Sequence, residues 1–200
     1  MRRVLIIITL IVSFTPAVAQ AAFRWPWQTK VEAPALPPVI NEEALRSSNA
    51  KLDQWEKMVA AKPFKAGQKF TAEFTATELE ALTRQAIGKL KNSSLEASSF
   101  TVRLEQDKVI LSAVVLRPFR FTVQVTVSAK VHNGGLVPEI KSARVGVFSV
   151  AGHIVERLAN EVFGRGFRAE LNPANFIWDE ISISPSKVVI VGHTAKPKVR

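Results

Sequence analysis

The chain has 200 residues, 27 Lys and Arg against 17 Asp and Glu (formal charge +10), and no cysteine. That length is enough for one domain with a true hydrophobic core. The missing thiols exclude disulfides, a thiolate-bound metal and a lipid-modified N-terminal cysteine.

Met1-Arg2-Arg3 is a short positive segment, and Val4–Phe14 is apolar apart from Thr9 and Ser13. Pro16 then breaks any helix, and Ala17-Val18-Ala19 has the small-x-small pattern of a signal-peptidase site. Residues 1–19 are therefore expected to be a secretion signal cleaved after Ala19, with Ala21 a neighbouring choice. A retained anchor is the alternative, although the apolar run is shorter than the roughly 20 residues that span a bilayer. Loss of Arg2 and Arg3 takes the charge from +10 to +8, still basic. An exported, periplasmic or cell-envelope chain of this charge meets lipid headgroups and wall polymers, not nucleic acid.

Residues 20–40 hold four prolines and read as an extended linker. Phe23, Trp25 and Trp27 within it, beside Arg24, suit a membrane–water interface; they equally suit a cap on one end of the fold. A single α+β domain is expected over 41–194, followed by a basic tail, 195–200.

Asn41 is placed to cap a helix to about Ala61, with Glu42 and Glu43 in its first turn. Leu45, Leu52, Trp55, Met58 and Val59 form its apolar stripe, and Lys51, Asp53 and Lys57 lie opposite. A short extended piece, Gln68–Phe74, follows. Thr75-Ala76-Thr77-Glu78 is a capping box flanked by the Phe74/Leu79 staple. It opens a helix to about Leu90, with Leu79, Leu82, Ala86, Ile87 and Leu90 on one face.

The hydrophobic period then changes from 3.6 to 2. Strands are expected at Ser99–Leu104 and, after a Gln106-Asp107 turn, at Lys108–Leu116. Arg117-Pro118 breaks that second run. Phe119–Val131 alternates apolar and polar at every position, as in an antiparallel sheet with one wet side. Asn133-Gly134-Gly135 is a hairpin turn returning through Leu136–Val147. A further helix, Val150–Phe163, ends at Gly164. Two short strands, Phe176–Ile183 and Lys187–Gly192, hinge at Ser184-Pro185-Ser186. The expected fold is α+β, a curved antiparallel meander packed on two to three amphipathic helices.

Catalytic signatures are absent, and no cofactor is implied. His153 and Glu156 are spaced i, i+3 on a helix, but no third metal ligand is near in sequence. Asp179 and Glu180 are adjacent on a strand and so point apart. What stands out is apolar excess: Lys108–Leu116 is apolar on both faces, and large Phe residues recur. A curved sheet around a helix leaves an apolar groove that suits an acyl chain. Its expected lining is Phe100, Leu111, Phe119, Phe121, Val123, Val125, Leu158 and Phe163. Arg117, Arg120, Arg144, Arg165 and Arg168 are candidate headgroup contacts.

Three segments carry a family likeness: F-T-x-x-E-L-x-x-L from Phe74 to Leu82, V-x-V-F-x-x-A-x-x-I-V-E-R-L from Val145 to Leu158, and I-x-I-x-x-x-K-V-V-I-V-G from Ile181 to Gly192. With the order of elements over about 68–194, the chain resembles bacterial envelope proteins of the YpmS-like and LmeA-like type, related to the tubular lipid-binding (TULIP) superfamily. Glu80 departs from the pattern, which commonly has Asn there. The resemblance implies a half-barrel sheet cradling a helix, a lipid or lipid-linked ligand and no catalytic residues. The alternative function is an accessory module binding a membrane-surface partner or wall polymer; oligomeric state is left open.

Overall fold

A computed structural model describes residues 40–61, 63–89, 97–115, 121–151, 154 and 172–196. Asn41 is extended, and its Oδ1 accepts the Ala44 N–H at 3.0 Å, which starts helix α1, Glu42–Ala60. The side-chain oxygen thereby satisfies a backbone donor that the first turn leaves open. The expected stripe is the buried one: Leu45, Leu52, Trp55, Met58 and Val59 all join one core cluster. Lys51 does not stay in solvent. Its Nζ donates to the Glu73 carbonyl and to Glu78 Oε1, both at 2.5 Å, and lies 5.3 Å from the centre of the Phe74 ring.

Strand β1, Lys69–Phe74, leads into helix α2, Ala76–Lys89, through the expected capping box. The Glu78 N–H donates to Thr75 Oγ1 at 3.2 Å, and the Thr75 N–H donates back to Glu78 Oε2 at 2.9 Å. Strands β2 (Ala97–Glu105), β3 (Lys108–Val115), β4 (Phe121–His132), β5 (Gly135–Val145) and β6 (Phe148–Ser149) follow. β7 (Phe176–Ile183) and β8 (Val188–Thr194) end the order. The signal, the linker and most of the Val150–Phe163 helix lie outside the described residues.

The fold is α+β, as the pattern predicts, with its strands divided between two antiparallel sheets that do not close into a barrel. β2 to β6 form a five-stranded meander in chain order. The other sheet runs β1-β8-β7, so the extended piece before α2 pairs with the far end of the chain, Lys69 opposite His193 and Phe74 opposite Val188. No local periodicity signals that pairing. β8 also runs past Gly192, the expected strand end, to Thr194. The buried Thr194 hydroxyl donates to the Lys65 carbonyl at 2.7 Å and accepts the Gln68 N–H at 2.9 Å.

The β2–β3, β4–β5 and β5–β6 connections turn on left-handed backbone, at Asp107, at Asn133 and Gly134, and at Gly146. Asn133 (φ 52°) and Gly134 (φ 75°) both have positive φ, the type I′ geometry that matches strand twist. Gly134 also sits against the other sheet, its carbonyl accepting the Trp178 N–H at 2.9 Å. Asn172 pairs with β5 through its side-chain amide, accepting the Leu136 N–H at 2.6 Å and donating to the Leu136 carbonyl at 3.1 Å. The long β4–β5 hairpin thus reaches from the meander into the core of the second sheet, where Leu136, Ala129 and Val131 join Trp55, Phe176 and Trp178.

Glu80 has a structural task. Its Oε1 accepts Arg84 Nε and Nη2 at 3.1 and 2.9 Å, and its Oε2 accepts the Val102 N–H at 3.3 Å. Arg84 Nη2 also donates to the Phe100 carbonyl at 2.7 Å. Two helix side chains therefore occupy the backbone groups of edge strand β2, where another chain would otherwise pair. Glu80→Ala is expected to cost about 1–2 kcal/mol by removing one backbone partner and the anchor of Arg84. Urea titration checks it; an unchanged midpoint would show the clamp idle.

Candidate functional site

Period-two alternation gives the meander one apolar face, and antiparallel register stacks its residues in rows. One row runs Phe100, Ala113, Val123, Val145; the next runs Val102, Leu111, Val125, Ala143. Directly opposed residues share a face, so eight aliphatic or aromatic side chains form one surface four strands wide. Thr101, Ser112, Gln124 and Arg144 occupy the corresponding row on the opposite face.

Of the expected lining, Phe100, Leu111, Val123 and Val125 stand together on this face, each at most 4% exposed. Phe121 packs half-buried beside Val123 and Val125. Phe119, Leu158 and Phe163 lie outside the described residues, as do Phe23, Trp25 and Trp27. The two halves of the face are covered differently. Over β2 and β3, Ala76 and Leu79 of α2 and Ile181, Ile183, Val188 and Ile190 of the second sheet fill the space. Over β4 and β5, the packed partners from outside the meander among the described residues are Val150 and Ile154. The half-face of Val123, Val125, Ala143 and Val145 is the candidate ligand surface.

At its outer end the β5–β6 turn, Gly146-Val147, has positive φ only at Gly146 (59°), the pattern of a type II′ turn. It holds up Val147 and Phe148, which are 89% and 71% exposed. Phe148 pairs with Val145 and so projects on the apolar side of the sheet. Arg144, the residue before that row, is exposed. Arg103 and Lys141 pair with Glu105 and Glu139, whereas Arg144 has no carboxylate partner among the described residues. The other arginines singled out lie outside them.

Titratable groups make no competing site. No group of three His, Cys, Asp or Glu able to hold a metal occurs among the described residues; His153 and Glu156 are outside them. Asp179 does not follow the alternation expected of it. Trp178 pairs with Gly192 and Glu180 with Val191, leaving Asp179 as the extra residue of a β-bulge. Its carboxylate accepts from or pairs with His193 Nδ1 at 2.8 Å. Asp179 and Glu180 are both exposed. A shallow depression lined by Ala50, Gln54, Lys57, Met58, Ala61 and Gln68 lies along α1, and none of the expected lining is in it. Among the described residues no helix is long and apolar enough to cross a membrane.

Alternation alone continues the strand through Val147 and passes over the exposed Val147–Phe148 pair. The signal was there: an apolar pair directly after Gly146, where a turn is normally polar. No family model, curated protein or solved structure matches the chain.

Proposed function

We propose that the protein is an exported, non-catalytic envelope protein that holds an acyl chain or lipid-linked molecule along the Val123–Val125–Ala143–Val145 half of its apolar sheet face. The supporting observation is the face itself, four strands wide, apolar in every row and backed by a face that is polar except for Ile110 and Val114 of β3. Each methylene removed from water there is worth about 0.8 kcal/mol, and the surface holds no polar side chain that a hydrocarbon would have to desolvate.

Ala143 tests it. It is the smallest side chain of the half-face and 1% exposed. Where an acyl chain shares this space, Ala143→Phe occupies the ligand's volume: uptake of a fluorescent fatty acid by the full chain falls about tenfold or more, and stability is nearly kept. Where the space is a dry core, the same change overpacks it and costs about 1–3 kcal/mol. Wild-type protein that takes up no probe, with a destabilised Ala143→Phe variant, overturns the proposal.

A further inference from the structure

Val147 and Phe148 are the large hydrophobic side chains left open to water among the described residues. They adjoin one another on a two-residue turn whose glycine φ a bulkier residue would strain. Isolated exposed hydrophobics are ordinary, but a pair raised on a stiff tip is not needed by the fold, since Val145 behind it is already buried. The pair is convex. Its area is far below the roughly 800 Å² per partner that a specific protein interface buries, so a pocket on a second protein would gain little from it. A fluid bilayer accepts a small wedge of any shape. Arg144, without a carboxylate partner among the described residues, stands beside the turn, and the chain is basic, +10 as a whole and +8 without Arg2 and Arg3; both favour an anionic surface.

We infer that the Val147–Phe148 turn is a membrane-insertion tip that seats the protein on an anionic phospholipid bilayer, with Arg144 at headgroup level. Phe148 and Val145 share a side of the sheet, so insertion brings the end of the Val123–Val145 row to the bilayer surface. The tip deepens the lipid-holding proposal by naming where the ligand would cross, yet it uses separate residues and can fail separately.

The chain lacks cysteine, so Val147→Cys accepts a single polarity-sensitive fluorophore in the full-length protein. On vesicles of equimolar phosphatidylglycerol and phosphatidylethanolamine, its emission should shift to the blue and brighten. The double variant Val147→Ser/Phe148→Ser should bind these vesicles about tenfold more weakly in sedimentation. Arg144→Glu should weaken binding about fivefold, with the loss disappearing on phosphatidylcholine vesicles. The serine variant should unfold at the wild-type denaturant concentration and take up soluble fatty acid as the wild type does. Unchanged label emission with undiminished sedimentation of the serine variant overturns the tip. If Trp25→Ala/Trp27→Ala abolishes sedimentation while the serine variant retains it, the contact belongs to the linker and the tip is again overturned. Loss of fatty-acid uptake alone would bear on the apolar face and leave the tip standing.

Discussion

Replacing Gly192 by valine should lower the stability of the protein by about 3 kcal/mol. Gly192 lies in β8, the middle strand of its sheet, paired with Phe70 on one side and Trp178 on the other. The Phe176 ring lies directly on its backbone. A Cβ built there would stand 2.5 Å from Phe176 Cε1, 2.7 Å from Cζ and 2.7 Å from the Ile177 carbonyl oxygen. The last of these is backbone and cannot swing aside. Phe176 is no freer: its ring is 4.8 Å from that of Trp178, 5.9 Å from Trp55 and 6.3 Å from Phe70. Moving it would disturb its contacts with three aromatic side chains, where edge-to-face pairs contribute about 0.5–1.5 kcal/mol each beyond their burial. The penalty is steric, because Gly192 has no positive φ. Denaturant unfolding should show a lower midpoint with an unchanged slope, and alanine should fall between glycine and valine. A valine variant within about 0.5 kcal/mol of the wild type would contradict this packing.

Glu78→Ala should cost about 2–3 kcal/mol, and Glu78→Gln somewhat less because an amide still serves the capping box. Glu78 is 5% exposed and joins three elements. Its carboxylate accepts Ser47 Oγ at 2.6 Å and Lys51 Nζ at 2.5 Å from α1 and the Thr75 N–H at 2.9 Å at the end of β1. Burial alone pushes its carboxyl up. The hydrogen bonds from Lys51, Ser47 and Thr75, with the Lys51 charge, outweigh that and hold it below the usual range. A carboxyl lowered by folding stabilises most where it is ionised in both states. The contribution is complete above the unfolded value of about 4.3 and declines as pH falls through the lower folded value. The wild type should therefore exceed Glu78→Gln near neutral pH and lose that advantage as pH falls through the lowered folded value. Part of the acid slope will persist in the variant, because Glu139, held low by Lys130 and Lys141, titrates in the same direction. A wild-type advantage independent of pH would contradict the ion pair.

Both helices were legible in residues that act within one or two turns. Asn41, the Thr75–Glu78 box and the Leu45–Val59 stripe need no distant partner to declare a start or a buried face. The meander was legible too, since Phe100, Leu111, Val123 and Val125 fall on one face whatever covers it. That indifference is also why alternation cannot distinguish a filled core from a ligand surface. The division into two sheets was not readable, because the β1–β8 pairing has no local signature. The bulges were written in the sequence but need a change of parity to be noticed. Leu136, Pro138 and Ile140 are even-numbered, whereas Ala143 and Val145 are odd; the structure skips Lys141 between them. Phe176 and Trp178 give way in the same manner to Ile181 and Ile183 across Asp179. One extra residue in each strand keeps the apolar set on the inner side.

The β1–β8 pairing also dictates an order of events. Gln68 and Thr194, bonded to each other, are 126 positions apart. Contacts this distant in sequence must be closed before they repay the entropy of the intervening loop. A chain delivered N-terminus first can form α1, α2 and the meander by local steps. β1 then waits with one edge unpaired, and the aromatic cluster with half its walls, until the last strand arrives. A strand made long after β1 therefore completes the sheet that β1 begins.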